Sequence, residues 1–162
     1  MNVKAIPEDA VDYLEYRDGE LYWKISRGTV KAGSIAGTTN KLGYRRVKIN
    51  GEVYSAHRVI WFIVKGVQPP EHLDHINRNP RDNRISNLRG ATRAQNYRNN
   101  SGYSNNTSGK TGVYWLRNRS KWAARVKVDG RYKHLGVYNS FEDAVSARCL
   151  AEDKHYGEFA PT

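Results

Sequence analysis

Polar and apolar positions alternate in "YRRVKI" (44–49). Val47 and Ile49 share one face and Arg46 and Lys48 the other, which predicts a half-buried strand with a basic exposed side. Turn signals punctuate the same half of the chain: Asp18-Gly19 in "RDGELYW", Leu42-Gly43 in "NKLGYRRVKI" and Asn50-Gly51 in "KINGEVY". Asn-Gly and Asp-Gly between strand-like runs predict tight hairpins, because a type I′ turn needs positive φ at both central residues. In "SAHRVIWFIVKG" the alternation gives way to a nearly continuous apolar run, read as a short buried helix ending near Gly66. Pro69-Pro70 then forces the chain out of helix and into an extended approach to "LDHINRNPRDNRISNLRGATRAQN" (73–96).

Three strand candidates recur later, "GVYWLRN", "KWAARVKV" and "RYKHLGVY", separated by the turns "RNRS" and "VDGR". Alternation sorts their faces. Trp122, Ala124, Val126 and Val128 point to one side, and Ala123, Arg125 and Lys127 to the other. On the third strand Leu135 and Val137 are expected in the core, with Tyr132 and His134 outward. Ser140 opens a helix with Asp143 as its capping-box partner, and Gly157 suits its C-terminal cap. Ala144, Ala147 and Ala151 lie along one side of that helix, small enough for close approach to a sheet. Between the two patterned regions, "NNSGYSNNTSGK" has the composition of a flexible linker. The expected division is therefore a domain over 1–98, a linker over 99–109 and a second domain over 110–162, an α+β chain throughout.

Charge changes this picture. The 162 residues carry a formal net charge of +11, unevenly placed. Residues 1–20 hold two basic and six acidic side chains, residues 21–100 hold 15 basic against four acidic, and residues 110–134 hold eight Lys/Arg against Asp129 alone. Residues 141–158 turn acidic again, five against two. Basic blocks interleaved with Tyr and Trp point to a polyanion with stackable bases, so nucleic acid leads. One cysteine, Cys149, leaves no intrachain disulfide and no cysteine zinc knuckle. The longest purely apolar run, "VIWFIV", is six residues, and the N-terminus lacks the order of a signal peptide. The expectation is a cytoplasmic protein with no membrane partner.

The stretch 73–96 has no hydrophobic period but is rich in chemistry. Phosphodiester hydrolysis needs a water deprotonated, charge on phosphorus stabilised and the sugar oxygen helped to leave. Imidazole, with an ordinary pKa of about 6.5, can do the first at neutral pH. A hard divalent ion on oxygen ligands can do the other two. Asp74 and His75 are adjacent, so on a strand they project to opposite sides. Asn96 follows 22 residues after Asp74, in the first turns of a helix whose Thr92 and Gln95 form a capping-box pattern. The loop "NRNPRDNR" is turn chemistry throughout, so strand, loop, short strand and helix could fold back on themselves. His72 is read as an exposed strand-end residue and His57 as a buried structural histidine; Trp115 and Trp122 are read as core.

The residues "DH" at 74–75, "N" at 87 and "N" at 96 resemble the HNH nuclease family, specifically the phage and intron-encoded HNH endonucleases with a ββα-metal site. The resemblance covers roughly residues 15–100, a hairpin-rich region. It implies His75 as general base, Asp74 and Asn96 as metal ligands, and Asn87 as the residue that ties down the loop and holds the His75 backbone. It also implies one divalent ion per active site, Mg²⁺ or Mn²⁺, since Asn96 offers an oxygen where the family often has histidine. Arg46, Lys48 and Arg93 are the expected DNA contacts of this region.

From Ser108 to about Ala160 the chain resembles the ERF (APETALA-like) DNA-binding domain, a three-stranded antiparallel sheet with one helix packed on its back. That likeness implies that the sheet faces DNA. The contacts expected are Arg125, Lys127, Tyr132 and His134 on the sheet, with Arg117, Arg119 and Lys121 at the first hairpin. Tyr114, Leu116, Lys127 and His134 depart from the plant pattern, so the plant target sequence does not carry over. Together the two resemblances imply a metal-dependent, homing-type DNA endonuclease, phage-encoded, acting on double-stranded DNA as a monomer or DNA-induced dimer. The alternative is a non-catalytic, sequence-specific DNA-binding regulator with a vestigial HNH site.

Overall fold

In the computed structural model, which describes residues 4–98, 106 and 108–160, the Asp18-Gly19 pair has φ of 41° and 90° and Asn50-Gly51 has 50° and 86°. Both turns thus adopt the positive φ that a type I′ hairpin requires. The first joins β1 (Leu14–Arg17) to β2 (Glu20–Trp23), after a four-residue helix α1 (Ala10–Tyr13). The second joins β4 (Arg45–Ile49) to β5 (Glu52–Ser55), while β3 (Thr38–Thr39) pairs along the other edge of β4. Leu42-Gly43 turns differently: Gly43 alone of the pair has positive φ, and Asn40 Oδ1 accepts the Leu42 and Tyr44 N–H groups at 3.0 Å each. The chain forms two compact units, Met1–Asn96 and Tyr97–Thr162. Of the linker expected over 99–109, residues 99–105 and 107 lie outside the described residues.

Helix α2 (Ala56–Lys65) follows β5 and stops at Gly66, which has φ of 68° and returns its N–H to Phe62 O. Its Arg58 guanidinium reaches over the proline stretch. One arm donates to Pro70 O (2.9 Å) and Glu71 O (3.2 Å), the other to Pro69 O (3.2 Å). Prolines have no N–H to offer a sheet, and here the carbonyls of that stretch are taken up by a fork from the neighbouring helix. The clamp delivers the chain into β6 (His72–His75), which pairs antiparallel with β7 (Leu88–Ala91); a 3₁₀ turn at Ile85–Asn87 precedes β7, and α3 (Arg93–Arg98) follows it. Leu73 and Leu88 bury in the same core as Ile6, Leu14, Leu21, Val47, Ile49, Val59 and Ile60. Each leucine stabilises the fold by about 1.5–3 kcal/mol and seats its strand. On β4, Val47 and Ile49 are buried and Arg46 and Lys48 exposed, as the alternation predicts.

The second unit is a three-stranded antiparallel sheet in the order β10 (Arg131–Tyr138), β9 (Lys121–Val128), β8 (Val113–Leu116), with α4 (Phe141–Tyr156) packed on it. Ser140 Oγ accepts the Asp143 N–H at 3.0 Å, capping the helix. Asp129-Gly130 supplies a third tight turn with φ of 47° and 80°. Trp122, Ala124, Val126 and Val128 pack toward α4. Val137 does not. The register slips between His134 and Gly136, so Leu135 is core, Val137 pairs with Ala123 and Tyr138 takes the inward place beside Trp122. A bulge adds one residue to one strand and reverses the alternation beyond it. Trp115 is 44% exposed, edge-on to Trp122 at 5.2 Å, and belongs to the rim rather than the core.

The inner face of α4 is also more polar than its alanines suggest. Ala147 is only half-buried, whereas Arg148 (5% exposed) and Glu152 (2%) are buried. Arg148 Nε donates to Glu152 Oε1 at 3.0 Å, Lys110 Nζ lies 2.9 Å from Oε2, and another Arg148 nitrogen donates to the Arg125 carbonyl. Among the described residues no helix is long and apolar enough to cross a membrane. Removing one partner of a buried ion pair strands the other charge. Glu152→Ala should therefore destabilise the second unit by about 3 kcal/mol, read as a lower midpoint in urea unfolding followed by the NMR amide signals of β8, β9 and β10.

Candidate active site

The β6–β7 hairpin sets Asp74 opposite Arg89 and His75 opposite Leu88. Because neighbours on a strand face opposite ways, the carboxylate and the imidazole enter different surroundings. Asp74 is 7% exposed and Arg89 Nε and Nη2 both lie 3.1 Å from its Oδ2, a fork that neutralises and orients the carboxylate. His75, 6% exposed, lies with Nε2 3.0 Å from Asn83 Oδ1, and Asn83 is itself buried. With the amide oxygen as acceptor, the contact is a hydrogen bond in the Nε2–H tautomer, whose basic nitrogen is Nδ1.

The loop between the strands is held from within. Asn87 Oδ1 accepts the Asn77 N–H (3.0 Å), while its Nδ2 donates to Asn77 Oδ1 (3.0 Å) and to the Asp82 carbonyl (2.7 Å). Ile76 N–H donates to the Asn87 carbonyl at 2.9 Å. Asn77 and Asn79 each accept an N–H two residues on, the Asx turns that a run such as "NRNPRDNR" favours. Arg84 grips Asp82 with two bonds of 2.8 and 2.7 Å, which holds the Asp82 carboxyl well below the usual carboxylate range. Asn83 sits between Asp82 and Arg84, so this self-bonded loop is what carries it to His75.

Two more rings border the imidazole. His57, in the first turn of α2, stands edge-to-face with His75 at 5.1 Å, and Tyr44 lies 6.1 Å from His75. Burial, then the neighbouring His75 and Arg58, pushes the His57 pKa down to about 3, so the ring is neutral at physiological pH. His72 is half-buried with Nε2 3.8 Å from Glu71.

Asn96 lies half-buried in α3, its N–H on Thr92 O at 2.9 Å. The capping box is complete: Thr92 N–H donates to Gln95 Oε1 (2.7 Å) and Gln95 N–H to Thr92 Oγ1 (3.2 Å). Among the described residues no three His, Cys, Asp or Glu side chains gather as a metal-binding group. Asp74 offers a carboxylate oxygen and Asn96 an amide oxygen, and hard divalent ions take such oxygens together with water. The residues present therefore fit Mg²⁺ or Mn²⁺ chemically, with Arg89 competing for Asp74 by charge.

Arg46 and Lys48 are exposed side by side on β4, and Arg93 is exposed at the start of α3. In the second unit Arg117, Arg119 and Lys121 are exposed at the β8–β9 hairpin, and Arg125, Lys127, Tyr132 and His134 are exposed on the sheet. Sequence reasoning did not single out Asn83, Arg89 or Tyr44, and it gave His57 no place beside His75. For Arg89 a signal existed, since two antiparallel strands that pair His75 with Leu88 must pair Asp74 with Arg89.

Residues 54–98 match the family model described as HNH endonuclease, a span that contains His57, Asp74, His75, Asn83, Asn87, Arg89 and Asn96. The match concerns this stretch and reaches neither the sheet nor α4 of the second unit. Among curated proteins, Protein 3.8 of Escherichia phage T7 is 33% identical over 76 residues, which cover 46% of this chain and 63% of that protein. The chain thus spans less than two thirds of the length of this relative. No solved structure matches the chain.

Two outcomes follow from the geometry. Asn87→Ala should speed amide exchange at Asn77, whose N–H it holds, on the order of tenfold, measured by NMR hydrogen exchange. The His57 effect has a defined sign. Between pH 6.5 and about 3 the unfolded chain binds a proton at His57 that the folded chain refuses, so stability falls as pH drops through that window. Urea midpoints at pH 7 and 4.5 should therefore differ less in His57→Phe than in the wild type.

Proposed function

We propose that this protein is a divalent-metal-dependent DNA endonuclease of HNH homing type that hydrolyses phosphodiester bonds with His75 as general base. The observation that carries this reading is the Nε2 contact to Asn83 Oδ1, which favours the Nε2–H tautomer and so supports Nδ1 as the basic nitrogen. In the neutral ring Nδ1 takes a proton from a water molecule, whose oxygen attacks phosphorus in line with the leaving 3′ oxygen. The products are a 5′-phosphate and a 3′-hydroxyl, the departing oxygen taking its proton from solvent water. As His75 becomes imidazolium, the Nε2–H bond to Asn83 strengthens, since a hydrogen bond with a charged donor is the stronger kind. Asn87 acts at one remove by holding the loop that presents Asn83. Asp74 and Asn96 would hold the cation, which when bound would neutralise the phosphate and ease departure of the sugar oxygen. Arg89 orients the Asp74 carboxylate.

The basic exposed residues divide the remaining work. Arg46, Lys48 and Arg93 contact DNA near the cut, and the second unit, which resembles an ERF (APETALA-like) domain, selects the site through its exposed sheet and the Arg117–Lys121 hairpin. Phosphate neutralisation makes affinity fall steeply with salt. The setting is a phage-infected cell's cytoplasm, and the enzyme acts as a monomer or a dimer formed on DNA.

The test is conversion of supercoiled plasmid carrying phage DNA. Wild type should nick or linearise it with Mg²⁺ and not with EDTA. His75→Ala should lose about 10²–10⁴-fold in rate, the usual share of a general base, and Asn83→Ala about 10–100-fold, as for a residue that orients another. Both variants should still retard DNA in a gel. If wild type retards DNA but cuts none, the protein is a DNA-binding regulator.

A further inference from the structure

On the sheet of the second unit one arginine is held at both ends. The Arg125 guanidinium carbon lies 4.1 Å from the Tyr132 ring centroid and 5.2 Å from that of Tyr114. The three side chains come from three strands, β8, β9 and β10. Lys127, which pairs directly with Tyr132, has its ammonium 5.6 Å from the same ring. At the other end the Arg125 N–H donates to Gly112 O at 2.8 Å, and its carbonyl accepts from the buried Arg148. Gly112 has φ of 84°, and a Cβ there would stand 2.5 Å from the Arg125 carbonyl oxygen. The close approach that anchors Arg125 is therefore open only to glycine.

An arginine that merely neutralises phosphate has no need of this. Charge acts over distance, and a mobile head group can follow the backbone. A fixed guanidinium plane serves a different end. Bidentate recognition of a base edge needs the fork in one orientation, and prior ordering removes an entropy cost from binding. The commonest such partner is the N7/O6 edge of guanine in the major groove.

We infer that Tyr132 is a specificity-determining positioning residue: by holding the Arg125 guanidinium against its ring, it commits Arg125 to reading one G·C pair in the major groove. This rests on the reading that the second unit binds double-stranded DNA. Tyr132 is 62% exposed and outside the core, so its substitution leaves the fold intact.

The experiment uses the full chain in EDTA, so that DNA is bound but not cut. Preferred duplexes are selected from a randomised pool, and every base pair of the best one is then replaced in turn in competition binding. Wild type and Tyr132→Phe should discriminate by about tenfold or more at one G·C pair. Tyr132→Leu and Arg125→Lys should lose that preference at that pair, while discrimination at every other base pair of the duplex stays within about twofold of wild type. If Tyr132→Leu weakens binding to every duplex equally, or keeps the full preference, the inference is overturned while DNA binding by this unit stands. If replacing Arg117, Arg125 and Lys127 together by alanine changes neither affinity nor salt slope, the unit does not bind DNA, and both readings fall.

Discussion

The Asn87 carboxamide is the point on which the candidate site turns. Three hydrogen bonds run from it to Asn77 and to the Asp82 carbonyl, and they close a loop whose apolar anchor on the core is Ile85 near its end. That closure fixes Asn83, Asn83 fixes the His75 ring, and the ring's tautomer decides which nitrogen can accept a proton. A buried polar network of this kind is stable only when its members are satisfied. The surrounding structure supplies the conditions: Leu73 and Leu88 seat the two strands in the core, and Arg58 takes up the carbonyls of the proline stretch that leads in. The core provides stability and the polar loop provides direction.

Much of this architecture is written locally in the chain. The Asp18-Gly19, Asn50-Gly51 and Asp129-Gly130 turns, the Val47/Ile49 alternation, the end of α2 at Gly66 and the Thr92/Gln95 box each depend on residues within a few positions of one another. What the sequence conceals is long-range or out of phase. Arg148 and Glu152 look like ordinary solvent-facing charges until the sheet brings Lys110 and the Arg125 carbonyl to them. Val137 continues a perfect alternation on paper, but the bulge beside it changes which residue is inside. At the site, Asp74, His75 and Asn87 stand out by type and spacing. Asn83, lost among asparagines and arginines, gains its meaning only when the loop has closed.

The two units solve the problem of placing a polar side chain in different ways. In the first, His75 is nearly enclosed and steadied by an amide and by neighbouring rings, His57 among them, kept neutral by burial. In the second, Arg125 projects from an exposed face, and its order comes from a stacked ring above and a buried ion pair beneath. Enclosure holds a ring among fixed neighbours, whereas exposure leaves a guanidinium ordered yet open to solvent.

The bulge in β10 divides that strand into two halves with opposite phase. Tyr132 and His134 lie outward in the first half, and Leu135 and Tyr138 lie inward across the slip. The outward Tyr132 and His134 can therefore change without disturbing the inward Leu135 and Tyr138. A lineage could vary the residues that meet a partner while the packing against α4 stays as it is. The slip of a single residue thus separates what must be kept from what is free to diverge.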